Sequence, residues 1–183
     1  MRRIVLTFGL IAGGILSASM IIALPFRDAI GLDRAMVIGY TTMVLAFLMI
    51  YFGVRSYRDN VADGHVGFGR AFSVGLLITA VATVCYVATW EVIYFKVTPD
   101  YGEAYAAQAV EKARKSGATE AELAAKTAEM AEFQQMYKNP FYNAAVTFLE
   151  PLPVGLLFSL IAAGTLSRRR RSVGARAGAV LAQ

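Results

Sequence analysis

Cysteine and histidine are nearly absent: the 183 residues hold one of each, Cys85 and His65. A lone cysteine excludes an intramolecular disulfide and a cysteine-based metal site. Cys85 lies in the middle of an apolar run, where it reads as a small buried hydrophobe. A lone histidine excludes a histidine-rich metal site, and His65 falls in a glycine-rich stretch as an ordinary loop residue. Charge is also scarce. Asp, Glu, Lys and Arg make up 17% of the chain, against about a quarter in average soluble domains. Hydrophobic residues reach 57% with a mean hydropathy of +0.51. What decides the class is how the apolar residues cluster.

Four runs are long enough to cross a bilayer. The first, Ile4 to Leu24, has 21 residues and no charge, reaching about 31 Å at 1.5 Å per residue. A signal peptide competes for this run, since Arg2 and Arg3 precede it and Ser17, Ala18 and Ser19 come late. The run stays apolar through Met20, Ile21, Ile22 and Leu24, past any plausible cleavage site, so a retained span is expected. Ala35 to Val54 is the second run, Ala71 to Val97 the third, and Asn143 to Leu166 the fourth. Pro25 to Arg34 reads as a short polar turn, which makes the first two spans antiparallel neighbours. Arg55 to Arg70 reads as a solvated loop rich in glycine. Gly9, Gly13 and Ser17, and again Gly155, Ser159 and Ala163, set small residues at four-residue spacing, which lets helices approach closely in lipid. Packing within the chain is favoured over a homo-oligomer interface.

Residues 98–142 differ from the rest. They are polar, rich in alanine, and carry seven acids against five bases. A helix is expected over Asp100 to Lys115 and stops at Ser116-Gly117. Thr119 and Glu122 then fit a capping box opening a second helix. Leu123, Met130, Phe133 and Tyr137 recur along it at helical spacing, and Asn139-Pro140 ends it. The expected fold is all-α: four transmembrane helices with an extracytoplasmic helical insert between the third and fourth.

The net charge of +5 does not point to nucleic acid, because the arginines flank apolar runs. Arg2, Arg3, Arg55, Arg58, Arg70 and the cluster Arg168, Arg169, Arg170 and Arg171 read as topology signals. They place both termini in the cytoplasm of a multi-pass inner-membrane protein, with the four-arginine cluster against anionic lipid headgroups. The tail from Ser172 to Gln183 is expected to lack order.

Two motif groups now carry a resemblance. Phe52-Gly-Val-Arg-Ser-Tyr-Arg-Asp59, followed by Gly67-Phe-Gly-Arg-Ala-Phe72 and Gly75, looks like one family's second-helix exit and third-helix entry. Tyr137-Lys-Asn-Pro140, Thr147-Phe-Leu-Glu-Pro-Leu-Pro-Val-Gly155 and Ser159-Leu160 are similar to its fourth-helix signature. The chain thus resembles, nearly as far as Arg171, the small bacterial membrane proteins catalogued as domain of unknown function 4199. The resemblance implies four helices and an inner-membrane address. It implies no activity.

Candidate chemistry centres on two intramembrane acids, Glu91 and Glu150, because an ionisable group in a span normally faces protein or water. Both fall roughly 10 Å below the outer surface at 1.5 Å per residue. If they meet, one holds a proton at neutral pH, which suits a proton-coupled step or a cation site. Against this, Pro151 and Pro153 break the span after Glu150, whose carboxylate then serves a helix N-terminus. Glu91 has Lys96 or a tyrosine such as Tyr86 or Tyr94 as alternative partners. Trp90, Tyr94, Phe95 and Tyr101 cluster as an aromatic belt would. Gly64 to Arg70 lacks the Gly-Lys-Ser/Thr ending of a phosphate loop. With no nucleophile–base pair and no metal-ligand spacing, the residues predict a non-enzymatic protein without a cofactor. The first expectation is an insert that engages a partner or supports assembly. The alternative is a small proton- or cation-coupled transporter or sensor using Glu91 and Glu150.

Overall fold

The computed structural model describes residues 1–167; the arginines 168–171 and the tail 172–183 lie outside the described residues. The described chain is helical, with seven α-helices: α1 Arg2–Ala23, α2 Arg27–Asn60, α3 Phe68–Val92, α4 Tyr101–Lys115, α5 Glu120–Tyr137, α6 Pro140–Leu149 and α7 Leu152–Leu166. Four helical stretches are long and apolar enough to cross a membrane: Arg2–Phe26, Asp33–Asn60, Phe68–Val97 and Pro140–Leu166. They extend each apolar run by a few residues.

The span-forming helices make one bundle. α3 packs on α1 and α7, α2 packs on the other side of the same two, and α2 and α3 touch across the middle. Phe47, Ile50, Val54, Val74, Ile78 and Ala82 are fully buried between them. The outward faces carry Leu10, Ile22, Val37, Leu45, Val84 and Leu157, all exposed, an apolar girdle that suits lipid rather than water.

Small residues hold the helices close. A Cβ on Gly13 would fall 2.6 Å from the Cys85 Cβ, and one on Gly75 would fall 2.8 Å from the Ser159 Oγ. The Thr89 hydroxyl donates to Ser17 Oγ at 2.8 Å. Both small-residue stripes of the sequence are therefore used inside the chain.

Two connections depart from the expected turns. Pro25 to Arg34 is not a polar turn: a 3-10 turn at Leu24–Phe26 leads directly into α2. The direction change falls on Gly31, whose φ of 71° and ψ of 164° belong to a region that in practice only glycine occupies. The loop expected over Arg55 to Arg70 shrinks to residues 61–67. Arg55 pairs with Asp59 at 3.6 Å and Asn60 Nδ2 donates to the Ser56 carbonyl at 3.0 Å, which carries α2 beyond its apolar run.

α4 and α5 form the expected hairpin, turning at Gly117 with φ 84°. The capping box is complete. The Glu122 amide donates to Thr119 Oγ1 at 3.3 Å, and the Thr119 amide donates to Glu122 Oε2 at 2.7 Å. These bonds to the Thr119 amide and hydroxyl hold the Glu122 carboxyl below its ordinary range. Their contribution is present at neutral pH and is lost as pH falls through that lowered value. Thr119→Ala is expected to destabilise the first turn of α5 by about 1 kcal/mol. Hydrogen exchange of residues 120–123 in the full chain should be faster in the variant, and the gap should narrow toward acid pH, where the bond from the Thr119 hydroxyl to the carboxylate is lost. Equal protection at neutral pH would refute this.

Candidate aromatic cleft

The third span changes character near its end. Tyr86, Trp90 and Tyr94 follow one another at four-residue spacing and so share a face of the helix. That face looks toward the hairpin. The span then closes in a π-helical turn, Ile93–Val97, with the Thr98 amide donating to the Ile93 carbonyl at 2.8 Å. This wide turn re-aims the chain so that α4 returns over α3. Gly102 permits the return, since a Cβ there would fall 3.0 Å from the Tyr94 hydroxyl.

The fourth span breaks where two prolines require it. Pro151 has no N–H to continue α6, so α6 ends at Leu149 and α7 starts at Leu152. Glu150 sits at this exposed break and turns its carboxylate inward, where Oε2 accepts from the Tyr86 hydroxyl at 2.8 Å. Sequence reasoning placed Glu150 in the span but did not name this partner.

A second polar chain lies beside it. Trp90 Nε1 donates to the Tyr137 hydroxyl at 3.2 Å, which lies 3.2 Å from Thr147 Oγ1. Thr147 in turn donates to Asn143 Oδ1 at 3.3 Å. Since Thr147 has one hydroxyl proton, that direction makes Tyr137 its donor. Burial pushes the Tyr137 phenol above its ordinary value, so it remains a donor throughout the neutral range. The fully buried Asn143 closes the circuit by donating to the Tyr137 carbonyl at 3.3 Å. One network thus ties α3, α5 and α6 together.

Around these groups the rings form a continuous wall. Trp90 meets Tyr101 edge-on with centroids 4.9 Å apart, Tyr94 meets Tyr137 at 5.2 Å, and Phe133 stacks on Tyr137 at 4.9 Å. Phe133 also faces Tyr105 at 6.4 Å. The wall and Glu150 line an open cavity of about 210 Å³. An adjoining cavity of about 240 Å³ opens between α1, α2 and α4 and shares Tyr86, Trp90, Tyr101 and Tyr105 with the first. Its remaining lining is chiefly aliphatic, with Leu16, Met20, Ile38 and Met43.

The four residues singled out from sequence divide here. Glu150 and Tyr94 line the same cavity. Glu91, one residue beyond Trp90 and thus rotated off the aromatic face, lines neither cavity. Its Oε1 is buried without a hydrogen-bond partner. Lys96 is exposed, and no ion pair among the described residues joins it to Glu91. The stripe of α5 is used internally: Leu123, Met130 and Tyr137 are buried and Phe133 stacks within the hairpin. An exposed Lys112–Asp33 ion pair adds a tether from α4 to α2, of small energetic value. No group of three or more metal-ligating side chains occurs among the described residues. Of the aromatics that build the cleft, Trp90, Tyr94 and Tyr101 read in the sequence as an interfacial belt, and Phe133 and Tyr137 as part of the α5 stripe; neither pattern by itself marks a cleft.

The model of one family, described as protein of unknown function (DUF4199), matches residues 7–168. No curated protein and no solved structure matches the chain.

Proposed function

The chain belongs to the DUF4199 family, and from its own geometry we propose that it is a non-enzymatic, ligand-binding protein of the inner membrane. Its hairpin lies outside the cytoplasm and caps a carboxylate-bearing cleft. Orientation is supported by Arg2, Arg3, Arg55, Arg58 and Arg70, which flank the ends of the spans remote from the hairpin. The arginines 168–171 extend the same bias and contact anionic lipid headgroups. The hairpin acts in assembly: its stripe secures the cap, and a partner surface would need that stripe free.

The observation that carries this reading is the Tyr86–Glu150 bond inside an aromatic cavity between hairpin and bundle. A carboxylate kept at membrane depth is unfavourable by a few kcal/mol without a polar neighbour or function. Here one side chain meets part of its requirement and the rest faces an open cavity, the usual form of a small-ligand site. Coupled transport by a carboxylate pair has less support, since Glu91 lines neither cavity.

The test is native mass spectrometry of the full chain extracted from membranes in mild detergent. A discrete small-molecule or lipid adduct is expected on the wild type and on Glu91→Gln, and is expected to be lost from Glu150→Gln. An adduct-free wild type, or equal adducts on all three proteins, would sink the reading.

A further inference from the structure

Charge is distributed unusually around the two cavities. Among the described residues, their combined lining contains one charged side chain, Glu150, and no lysine or arginine. An anionic ligand would meet that carboxylate with no compensating cation. A hard metal ion would find one carboxylate; the other side-chain oxygens of the lining are mostly tyrosine, threonine and serine hydroxyls, not the several carboxylates and carbonyls that such ions take. What the lining offers is aromatic rings, with Trp90 packed against Tyr94 and Tyr101. Such rings attract a weakly hydrated cation through their quadrupole, tryptophan best, and aromatic cages of this kind take alkylated ammonium groups.

Resting on the reading of the cleft as a ligand site, we propose that it binds an alkylammonium group, held over Trp90 and its tyrosine neighbours with Glu150 as counter-ion. The cavity volume agrees. At about 210 Å³ it is smaller than the ~300–1,000 Å³ of clefts that take drug-sized molecules, and fits a headgroup. The adjoining aliphatic cavity provides a place for a chain attached to that group. The ammonium comes either from a lipid headgroup or from a free quaternary amine; both present the same chemistry to the rings.

Trp90 is the only tryptophan in the chain, so intrinsic fluorescence reports on the cleft directly. The full chain is placed in nanodiscs of phosphatidylglycerol, which brings no ammonium. It is titrated with lysophosphatidylcholine, with lysophosphatidylglycerol of the same chain, with choline, and with 3,3-dimethylbutanol, the uncharged shape-mimic of choline. The expected result is a saturable change in Trp90 emission with the ammonium compounds only, weakened roughly tenfold or more by Glu150→Gln. Choline as effective as the lysolipid assigns a soluble amine, and a preference for the lysolipid assigns a lipid; both support the ammonium class. Equal responses to the two lysolipids would overturn the ammonium class while leaving a ligand site in place. No saturable response to any compound overturns the proposal, and an adduct-free wild type in mass spectrometry would remove the site as well. The lysolipid comparison uses wild-type protein, so it holds even if the glutamine variant fails to fold.

Discussion

Gly155→Leu is expected to yield almost no folded, monodisperse protein, whereas Gly164→Leu, on the exposed side of the same helix, should be tolerated. A Cβ at Gly155 would stand 2.8 Å from Thr79 Oγ1 and 3.1 Å from Thr79 Cβ; at Gly164 it would meet nothing within 4 Å. Thr79 cannot easily give way, because it is buried and its hydroxyl donates to the Gly75 carbonyl at 3.0 Å. Gly75 is itself pressed against Ser159 of α7, so moving α3 at one contact opens the next. Overpacking a close seam costs about 1–3 kcal/mol, and in lipid no hydrophobic force drives the parted helices back together. Gly13→Leu, against Cys85 on the α1 side, should act similarly. Size-exclusion profile and thermal denaturation in detergent decide the matter. Equal stability of the Gly155 and Gly164 variants would show that the α3–α7 seam is not what holds the bundle.

Asn143→Leu is expected to loosen the hairpin from the bundle without dispersing the spans. Leucine keeps the volume but removes the Tyr137 carbonyl's donor and the acceptor of the Thr147 hydroxyl proton, at about 1–3 kcal/mol for buried groups left unpaired. The circuit continues to Trp90 through Tyr137, so the tryptophan loses its acceptor's position as well. Two readouts follow: faster hydrogen exchange in α5, and altered Trp90 emission in the unliganded protein. Unchanged exchange and emission would mean that aromatic packing alone docks the cap.

The spans, the hairpin and its capping box follow from local chemistry. Charge-free runs of bilayer length require helices, because lipid leaves no other way to satisfy the backbone. Thr119 and Glu122 need only each other. The stripes at Gly9 and Gly155 were legible as close-approach faces, though their partners on α3 were not. The departures have a common cause. At Arg27 to Arg34 and Arg55 to Asn60, polarity was read as loop, yet these residues hydrogen-bond along a helix as well as apolar ones do.

For the site, the sequence by itself determined that Glu150 sits beside a proline break and that Glu91 lies in a span. It also set which aromatics share a helical face. Which carboxylate enters the cleft was decided only in three dimensions. That choice depends on helix rotation and on where α4 returns, and both are set by contacts between residues far apart in the chain: Gly102 under Tyr94, Trp90 to Tyr137, Tyr86 to Glu150. A one-residue step along α3 turns a side chain by about 100°. That step separates Trp90 at the centre of the aromatic wall from Glu91 outside it.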